Sequence, residues 1–384
     1  MRKNIANLII FGFLFFPLIL FLLWVFKPVK KVNILIMDKT VLTDEGLEHR
    51  GFDWILSHLK YFKPSGKPYV PSTDYRGFFP LKHDSFLIKD LHKLSERQID
   101  SLSDAVEMTY YTDTYGIYYN EWYRKRDQTE HSEKVYGGLD QKDLIFLSKM
   151  KEKKKLIIAE FNFFATPTSG SERVKAELLL GLRWSGWTGR YFDLLDTLKN
   201  PELPKWVVRL YKEQHQNKWP FTKAGLVFVH TNETIAILES ETNLKKDLPV
   251  VNTFEYGMDK FNIPKKLNYP YWFDITLATD TNNRVLSYYE LFPNTTGDSI
   301  LRHHNLPKIF PAAFENTKDS PFYYFCGDFV DSPIYKTSHR IAGIQYFKLF
   351  LLNADDPNDR TLFFWRYYLP VMEKILSDHL KKKR

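Results

Sequence analysis

The sequence predicts an α/β fold: a mostly parallel, Rossmann- or flavodoxin-like sheet with a β-rich insertion, preceded by one N-terminal transmembrane helix. Three observations lead there. Short apolar runs at 32–37, 105–112 and 156–159 are separated by segments of helical spacing, the pattern of strands buried on both faces of a parallel sheet. Each run meets an acid, Asp38, Asp113 or Glu160, at the carboxyl end, where open α/β sheets place their ligands. Residues 8–26 are uncharged and almost wholly apolar, close to the ~20 residues needed to cross a hydrocarbon core.

Taken in order, the apolar N-terminal stretch ends in Trp24-Val25-Phe26-Lys27-Pro28. No small-residue cleavage site follows, so an uncleaved membrane anchor is expected rather than a signal peptide. Arg2 and Lys3 balance Lys27, Lys30 and Lys31, and the positive-inside rule gives a tie. A single N-terminal anchor usually exports the chain behind it, so the expected location is the cell membrane, with the bulk of the chain outside the cytoplasm. After the first strand, residues 46–61 carry Leu47, Trp54, Ile55, Leu56 and Leu59 at helical spacing. The Pro- and Gly-containing stretch 63–80 reads as a surface loop. Ser95 with Gln98 marks a capped helix start, and Asp140 begins the helix that leads into the strand at 156–159. A polar turn, Thr166-Pro167-Thr168-Ser169-Gly170-Ser171, then opens a further helix.

Beyond Tyr191 the pattern loosens. Residues 201–219 read as helix, 224–229 with 234–239 as paired strands, and 273–277 with 284–291 as a second pair. A buried strand is expected at 321–326, and helices at 341–352 and 359–380. The expected organisation is an anchor at 1–31 and a single α/β domain at 32–384. Within the domain, 32–200 holds the core βαβ units, about 201–300 the insertion, and 301–384 a closing strand and C-terminal helices.

With 384 residues, 44% of them apolar and 26% charged, the chain has the composition of a folded protein with a sizeable core. The net charge of +8 sits at the ends: Arg2, Lys3, Lys27, Lys30, Lys31, Lys381, Lys382, Lys383 and Arg384 leave the body between them at −1. A near-neutral body offers no broad electrostatic footprint for nucleic acid. The lone Cys326 excludes an internal disulfide and any paired-cysteine metal or redox motif. It lies in an apolar strand with no histidine near in sequence, which reads as a buried inert thiol. No dinucleotide, P-loop, HExxH or GxSxG pattern is present. Neither a metal nor a cofactor is expected.

The candidate site centres on Glu160 as the catalytic residue, with Asn162, Asp38 and Asp113 as binding groups. Carboxyls gathered at strand ends serve acid–base chemistry when their environments split their pKa values; Asp38 and Asp113 read equally as caps of the turns after them. Asp328 and Asp331 form a further acidic pair, which suits a cation held by oxygen ligands but reads more simply as a turn. Trp184, Trp187 and Arg190, set among glycines, read either as an aromatic platform with a hydrogen-bonding rim for a sugar or as a packing corner.

The strand-turn-helix at 156–180 resembles the class I glutamine amidotransferase-like superfamily, including its ThuA-type members, over roughly 32–200. That resemblance implies a helix, a strand, an elbow and a helix in sequence. It also implies a Gly-flanked cysteine at the elbow in catalytic members. Here Glu160-Phe161-Asn162 stands at that place, with neither cysteine nor glycine. Glutamine hydrolysis needs an activated thiolate, so this chain departs from it. The function expected is a membrane-anchored protein of this fold that binds or processes carbohydrate, in cell-envelope polysaccharide handling. The alternatives are a non-catalytic scaffold of a membrane complex and a glycoside hydrolase. The partners expected are the membrane, a carbohydrate ligand and a membrane-complex partner.

Overall fold

In the computed structural model, residues 2–124, 132–351, 356 and 359–380 are described, with backbone alone for 2–11, 13, 14, 336 and 348–351. Along the chain the principal strands are β1 (Ile34–Asp38), β2 (Arg76–Pro80), β3 (Phe86–Lys89), β4 (Met108–Asp113), β5 (Leu156–Glu160), β6 (Leu182–Phe192) and β7 (Gly225–His230). They continue as β8 (Ile235–Glu239), β9 (Leu244–Thr253), β10 (Lys266–Asn268), β11 (Trp272–Ala278), β12 (Arg284–Pro293), β13 (Ile309–Asn316) and β14 (Phe322–Phe325). The helices that bear on the site are α1 (Arg2–Val25), α2 (Arg50–Leu59), α3 (Glu96–Ala105), α4 (Gln141–Glu152), α5 (Gly170–Leu180), α6 (Lys205–Gln214) and α7 (Leu369–His379).

Ten strands form one mixed sheet in the order β10-β9-β12-β13-β14-β5-β4-β1-β2-β3. Five of its nine pairings are antiparallel: β10 with β9, β9 with β12, β12 with β13, β13 with β14, and β2 with β3. Only the block β14-β5-β4-β1-β2 is parallel. This corrects the mostly parallel, Rossmann- or flavodoxin-like sheet expected from the sequence. The second half of the chain does not sit on the parallel block as an insertion; β9, β10, β12 and β13 extend the same sheet from the β14 side.

The middle of the parallel block is buried because β1, β5 and β14 are apolar or aromatic before their last residue. Every residue of β1, β5 and β14 is buried. One face is covered by α2 and the C-terminal segment: Phe52 meets Tyr110 edge-on at 4.9 Å, and Trp54 meets Phe364 at 5.5 Å. On the other face α4 packs, capped by Asp140, whose carboxylate accepts from the Lys142 and Asp143 amides. Helix α3 starts with the reciprocal Ser95–Gln98 capping box.

The stretch 63–80, expected as loop, ends in the strand β2. Gly77 and Pro80 hid it, and Gly77 is required there. A Cβ at Gly77 would overlap the Asp38 carbonyl, and φ of +144° strains any other residue.

A second, four-stranded antiparallel sheet in the order β8-β7-β6-β11 packs beside the first. Phe273 of β11 lies 5.5 Å from Phe310 and 5.3 Å from Tyr289 of the main sheet. The two sheets also share backbone bonds at the end of β14, where the Asp274 amide donates to the Cys326 carbonyl at 2.8 Å. Helix α6 closes the far face of the second sheet, over a small separate core that includes Phe192, Val207, Leu210 and Ile237.

The transmembrane anchor is also corrected. Among the described residues no helix is long and apolar enough to cross a membrane. The segment concerned lies in α1, much of whose first half falls outside the described side chains. Its described end is tied to the rest of the chain. The Lys60 ammonium donates to the Val25 carbonyl at 2.6 Å and stands over the Trp24 ring. Trp24 packs on His339, and the Ala342 amide donates to the Leu20 carbonyl at 3.2 Å. The basic tail at 381–384 lies outside the described residues.

Candidate functional site

Four neighbouring parallel strands deliver acids to one end of the sheet: Asp38 from β1, Asp113 from β4, Glu160 from β5 and, three residues beyond β14, Asp328. Asp38 and Asp113 are direct partners across the β1–β4 register. In the pleat this puts their backbones one strand spacing apart, about 4.8 Å. The crevice at the carboxyl ends is therefore built from carboxyls, and each has a different environment.

Asp38 is fully buried. One oxygen accepts from the Thr40 amide at 3.0 Å, and the other meets His49 Nδ1 at 2.6 Å. The His49 Nε2 faces the Pro71 carbonyl at 2.9 Å, which can only accept. Both ring nitrogens thus donate, and the ring is an imidazolium. Burial alone would lower its pKa, but the bond to Asp38 and the carboxylates of Asp53 and Asp38 outweigh it and raise it to about 9. Asp38 and His49 form an ion pair at neutral pH.

Asp113 is half-buried. Its Oδ1 accepts from the Tyr115 amide at 2.7 Å and lies 3.5 Å from the Asn162 amide nitrogen. Burial, then the Asp38 carboxylate, push its pKa up to about 7. Glu160 is fully buried one strand further on. It accepts from the Tyr110 hydroxyl at 2.7 Å and from the Val330 amide at 3.3 Å, and Tyr110 in turn meets the Tyr368 hydroxyl at 2.9 Å. Burial and the neighbouring Asp328 hold Glu160 protonated well above the usual carboxyl range. Glu48, beside His49, is raised to about 8 by burial and by Asp38, and its Oε2 has no partner among the described residues.

The opposite wall is basic and aromatic. Asp331 accepts from the Tyr271 hydroxyl at 2.9 Å and pairs with Arg360 at 3.4 Å. The Arg360 guanidinium stands 3.8 Å from the Tyr271 ring, and Arg190 stands 5.2 Å from the same ring and 5.2 Å from Trp272. Tyr271 is thus held between two guanidiniums, with Trp272 stacked on Phe161 at 6.0 Å. Burial and Asp331 raise Asp328 well above the usual range. Between Asp328, Asp331, Arg360 and Tyr271 the free space is about 10 Å³, room for roughly one water.

The structure brings Asp38, Asp113, Glu160 and Asn162 together. Asn162 follows β5 with φ of +69°, a conformation its short polar side chain tolerates. Helix α5 does not begin until Gly170, so the turn here is long rather than a sharp elbow. Arg190 joins at the rim, where it also pairs with Glu202. Trp184 and Trp187 do not join. They are buried within β6, where the Trp184 indole donates to the Trp187 carbonyl at 3.1 Å and Trp187 packs on His230 and His304. Cys326 is fully buried beside Asp274, and burial first, then that carboxylate, push its thiol up, which leaves it unreactive. Sequence reasoning missed His49, Tyr110, Tyr271, Arg360 and Tyr368 as members of the site. The run Tyr269-Pro270-Tyr271-Trp272 was the available signal, being aromatic and immediately ahead of a strand.

No protein-family model matches the chain, and no curated protein matches it in sequence. Among the described residues no group of three or more His, Cys, Asp or Glu side chains is arranged to hold a metal ion.

The crevice depends on one close backbone contact. The Gly51 amide at the start of α2 donates to the Val330 carbonyl at 3.1 Å, and the Val330 amide donates to Glu160. A Cβ at Gly51 would overlap that carbonyl. Gly51→Ala is expected to push the 328–331 turn off Glu160 and cost about 1–3 kcal/mol, the usual range for overpacking. A urea midpoint equal to wild type would show that the contact positions nothing.

Proposed function

We propose that the crevice at the carboxyl ends of β1, β4, β5 and β14 is a general acid–base site that hydrolyses a carbohydrate, a glycoside being the substrate class. The observation that carries this reading is the division of labour among its carboxyls. Asp113 is half-buried, with a pKa raised to about 7, where a group can both give and take a proton. Its neighbour Asp38 is locked in an ion pair with His49. Glu160, its pKa raised well above the usual carboxyl range by burial, is held by Tyr110 and the Val330 amide and supports the site from within the sheet. Carboxyls whose environments push their pKa values apart are the pattern of acid–base assignment.

Asp113 is the proposed proton donor, and Asp328, on which the charge of Asp113 acts, is the proposed second carboxyl. Glycoside cleavage needs such a pair flanking the bond. Arg190 and Arg360 offer guanidinium donors to the hydroxyls of a sugar, and the rings of Tyr271 and Trp272 brace these guanidiniums.

The test is turnover of a panel of aryl glycosides and oligosaccharides by wild type and Asp113→Asn. General acid–base groups contribute about 10²–10⁴-fold, so Asp113→Asn is expected to lose rate on that scale while melting no lower than wild type. Full activity in the variant, or no turnover across the panel, would reject the reading. One observation favours a second reading, a non-catalytic interaction subunit: the space between Asp328 and Arg360 admits only about one water. On that reading Glu160→Gln and Asp113→Asn both leave the cellular role intact.

A further inference from the structure

A cavity of about 370 Å³ lies on the other flank of β1, away from the acids. It exists because β2 stops short. That strand pairs with β1 only at Met37 and Asp38, which leaves the β1 edge from Ile34 to Ile36 without a strand beside it. The Tyr69 hydroxyl patches part of the gap, accepting from the Ile34 amide and donating to the Val32 carbonyl, both at 2.8 Å. The loop before β2 and the end of α3 wall off the rest. The volume is that of an ordinary small-molecule site.

The charged groups around this cavity are paired, with one exception. Asp74 accepts from the Lys63 ammonium at 2.6 Å and from the Val70 amide at 2.8 Å. The Tyr75 hydroxyl donates to the Phe78 carbonyl at 2.7 Å. The Arg76 guanidinium has neither a hydrogen bond nor an ion pair among the described residues, although it is half-buried and lines the cavity. The nearest acid acting on it, Asp90, already accepts from the Tyr136 hydroxyl at 2.8 Å and pairs with His92. A half-buried guanidinium, weakly hydrated and presenting a planar fork of donors, calls for a carboxylate or a phosphate. The remaining lining is mixed: Ile34, Ile36 and Leu102 supply an apolar surface, and Asn33 a polar edge.

We infer that this cavity binds a small organic anion, with its oxyanion on the Arg76 guanidinium and its apolar body against Ile34, Ile36 and Leu102. The site is separate from the acid–base crevice, and the inference holds whether or not that crevice is catalytic. Tyr75 lines the cavity, and its ring lies 4.9 Å from that of His49.

The experiment is calorimetric titration of the full chain with benzoate and with phenyl phosphate, which separate the two oxyanion chemistries. Acetate and inorganic phosphate serve as anion-only controls. The titrations are repeated on Arg76→Gln and Arg76→Lys, each first shown to melt at the wild-type temperature. Binding of either aromatic probe, stronger than its anion-only control, is expected in wild type. It should weaken by about tenfold or more in Arg76→Gln, and less in Arg76→Lys, which keeps the charge but not the fork. No heat from either probe in wild type, or equal affinity in wild type and Arg76→Gln, would overturn the inference.

Discussion

Lys39→Met is expected to cost about 3–5 kcal/mol, the range for removing one partner of a buried ion pair. The Lys39 side chain is 2% exposed and that of Asp143 is fully buried, and their charged atoms lie 2.6 Å apart. The same ammonium donates to the Gly138 carbonyl at 2.9 Å. Methionine fills the space but leaves the Asp143 carboxylate without its counter-ion. That carboxylate is also fixed by other bonds: it accepts from the Tyr111 hydroxyl at 3.2 Å and from the Asp140 amide at 3.0 Å. Asparagine in place of Asp143 keeps hydrogen-bonding capacity without the charge. The double variant Lys39→Met/Asp143→Asn should therefore recover most of the loss. Chemical unfolding of the three proteins measures this, and a single-variant loss below about 1 kcal/mol would place the pair with weak surface bridges instead. The consequence reaches the site because Lys39 comes directly after Asp38 and its amide donates to the Asp113 carbonyl at 2.8 Å. The ion pair under the sheet end thus holds the β1–β4 register from which two of the carboxyls project.

That register explains what could be read from the sequence. The runs at 32–37, 105–112 and 156–159 were legible because strands buried on both faces show unbroken apolar stretches, and the acids that stop them stand out for the same reason. The antiparallel half was not legible as part of the same sheet. Strand β9 contains Lys245, Lys246, Asp247 and Pro249 and pairs with β12 through register shifts. Strand β13 contains Pro311 and shifts register against β12. Such irregular strands carry no clean period of two, and nothing local in them says which sheet they join. The pairing depends on β14, whose Phe322–Phe325 run accepts β13 on one side and β5 on the other.

The site was legible to the same depth. Asp38, Asp113 and Glu160 could be placed at strand ends by pattern, whereas their partners come from far along the chain. Tyr368, which completes the Glu160–Tyr110 chain, is 208 residues from Glu160, and Arg360 and Tyr271 reach Asp331 from separate elements. Contacts of that separation leave no spacing in the sequence. The pair Trp184 and Trp187 shows the converse. Its local composition suited an exposed platform or a packing corner, and the strand β6 in which it lies buries both rings, Trp187 against His230 and His304.

The carboxyl and histidine environments give the protein an expected stability that falls as pH rises from about 6.5 to 8. Asp113, at 3.8 in the unfolded chain, is raised to about 7, and Glu48, at 4.5, to about 8. His49, at 6.5, is raised to about 9. In each case the folded pKa lies above the unfolded one, so the native state holds more protons than the unfolded state between the two values. Stability carried by such a group is complete below the unfolded pKa and is lost as pH climbs through the folded one. His58 acts in the opposite sense: burial lowers it to about 4, so it adds stability as pH rises from about 4 to 6.5 and then contributes no further slope. Below 6.5 its rise offsets part of the loss from Asp113 and Glu48. Above 6.5 Glu48 and His49 act together unopposed by it, each with a slope of up to about 1.4 kcal/mol per pH unit. Urea unfolding at a series of pH values should show stability falling from 6.5 to 8, with the raised carboxyls of Glu160 and Asp328 acting in the same direction. Glu48→Gln should flatten the decline between 6.5 and 8, and Asp113→Asn should remove only the part that ends near 7. A wild-type profile that is level or rising between 6.5 and 8 would mean that these groups share their protons with the unfolded chain, and that the crevice does not hold the charge arrangement on which its acid–base chemistry depends.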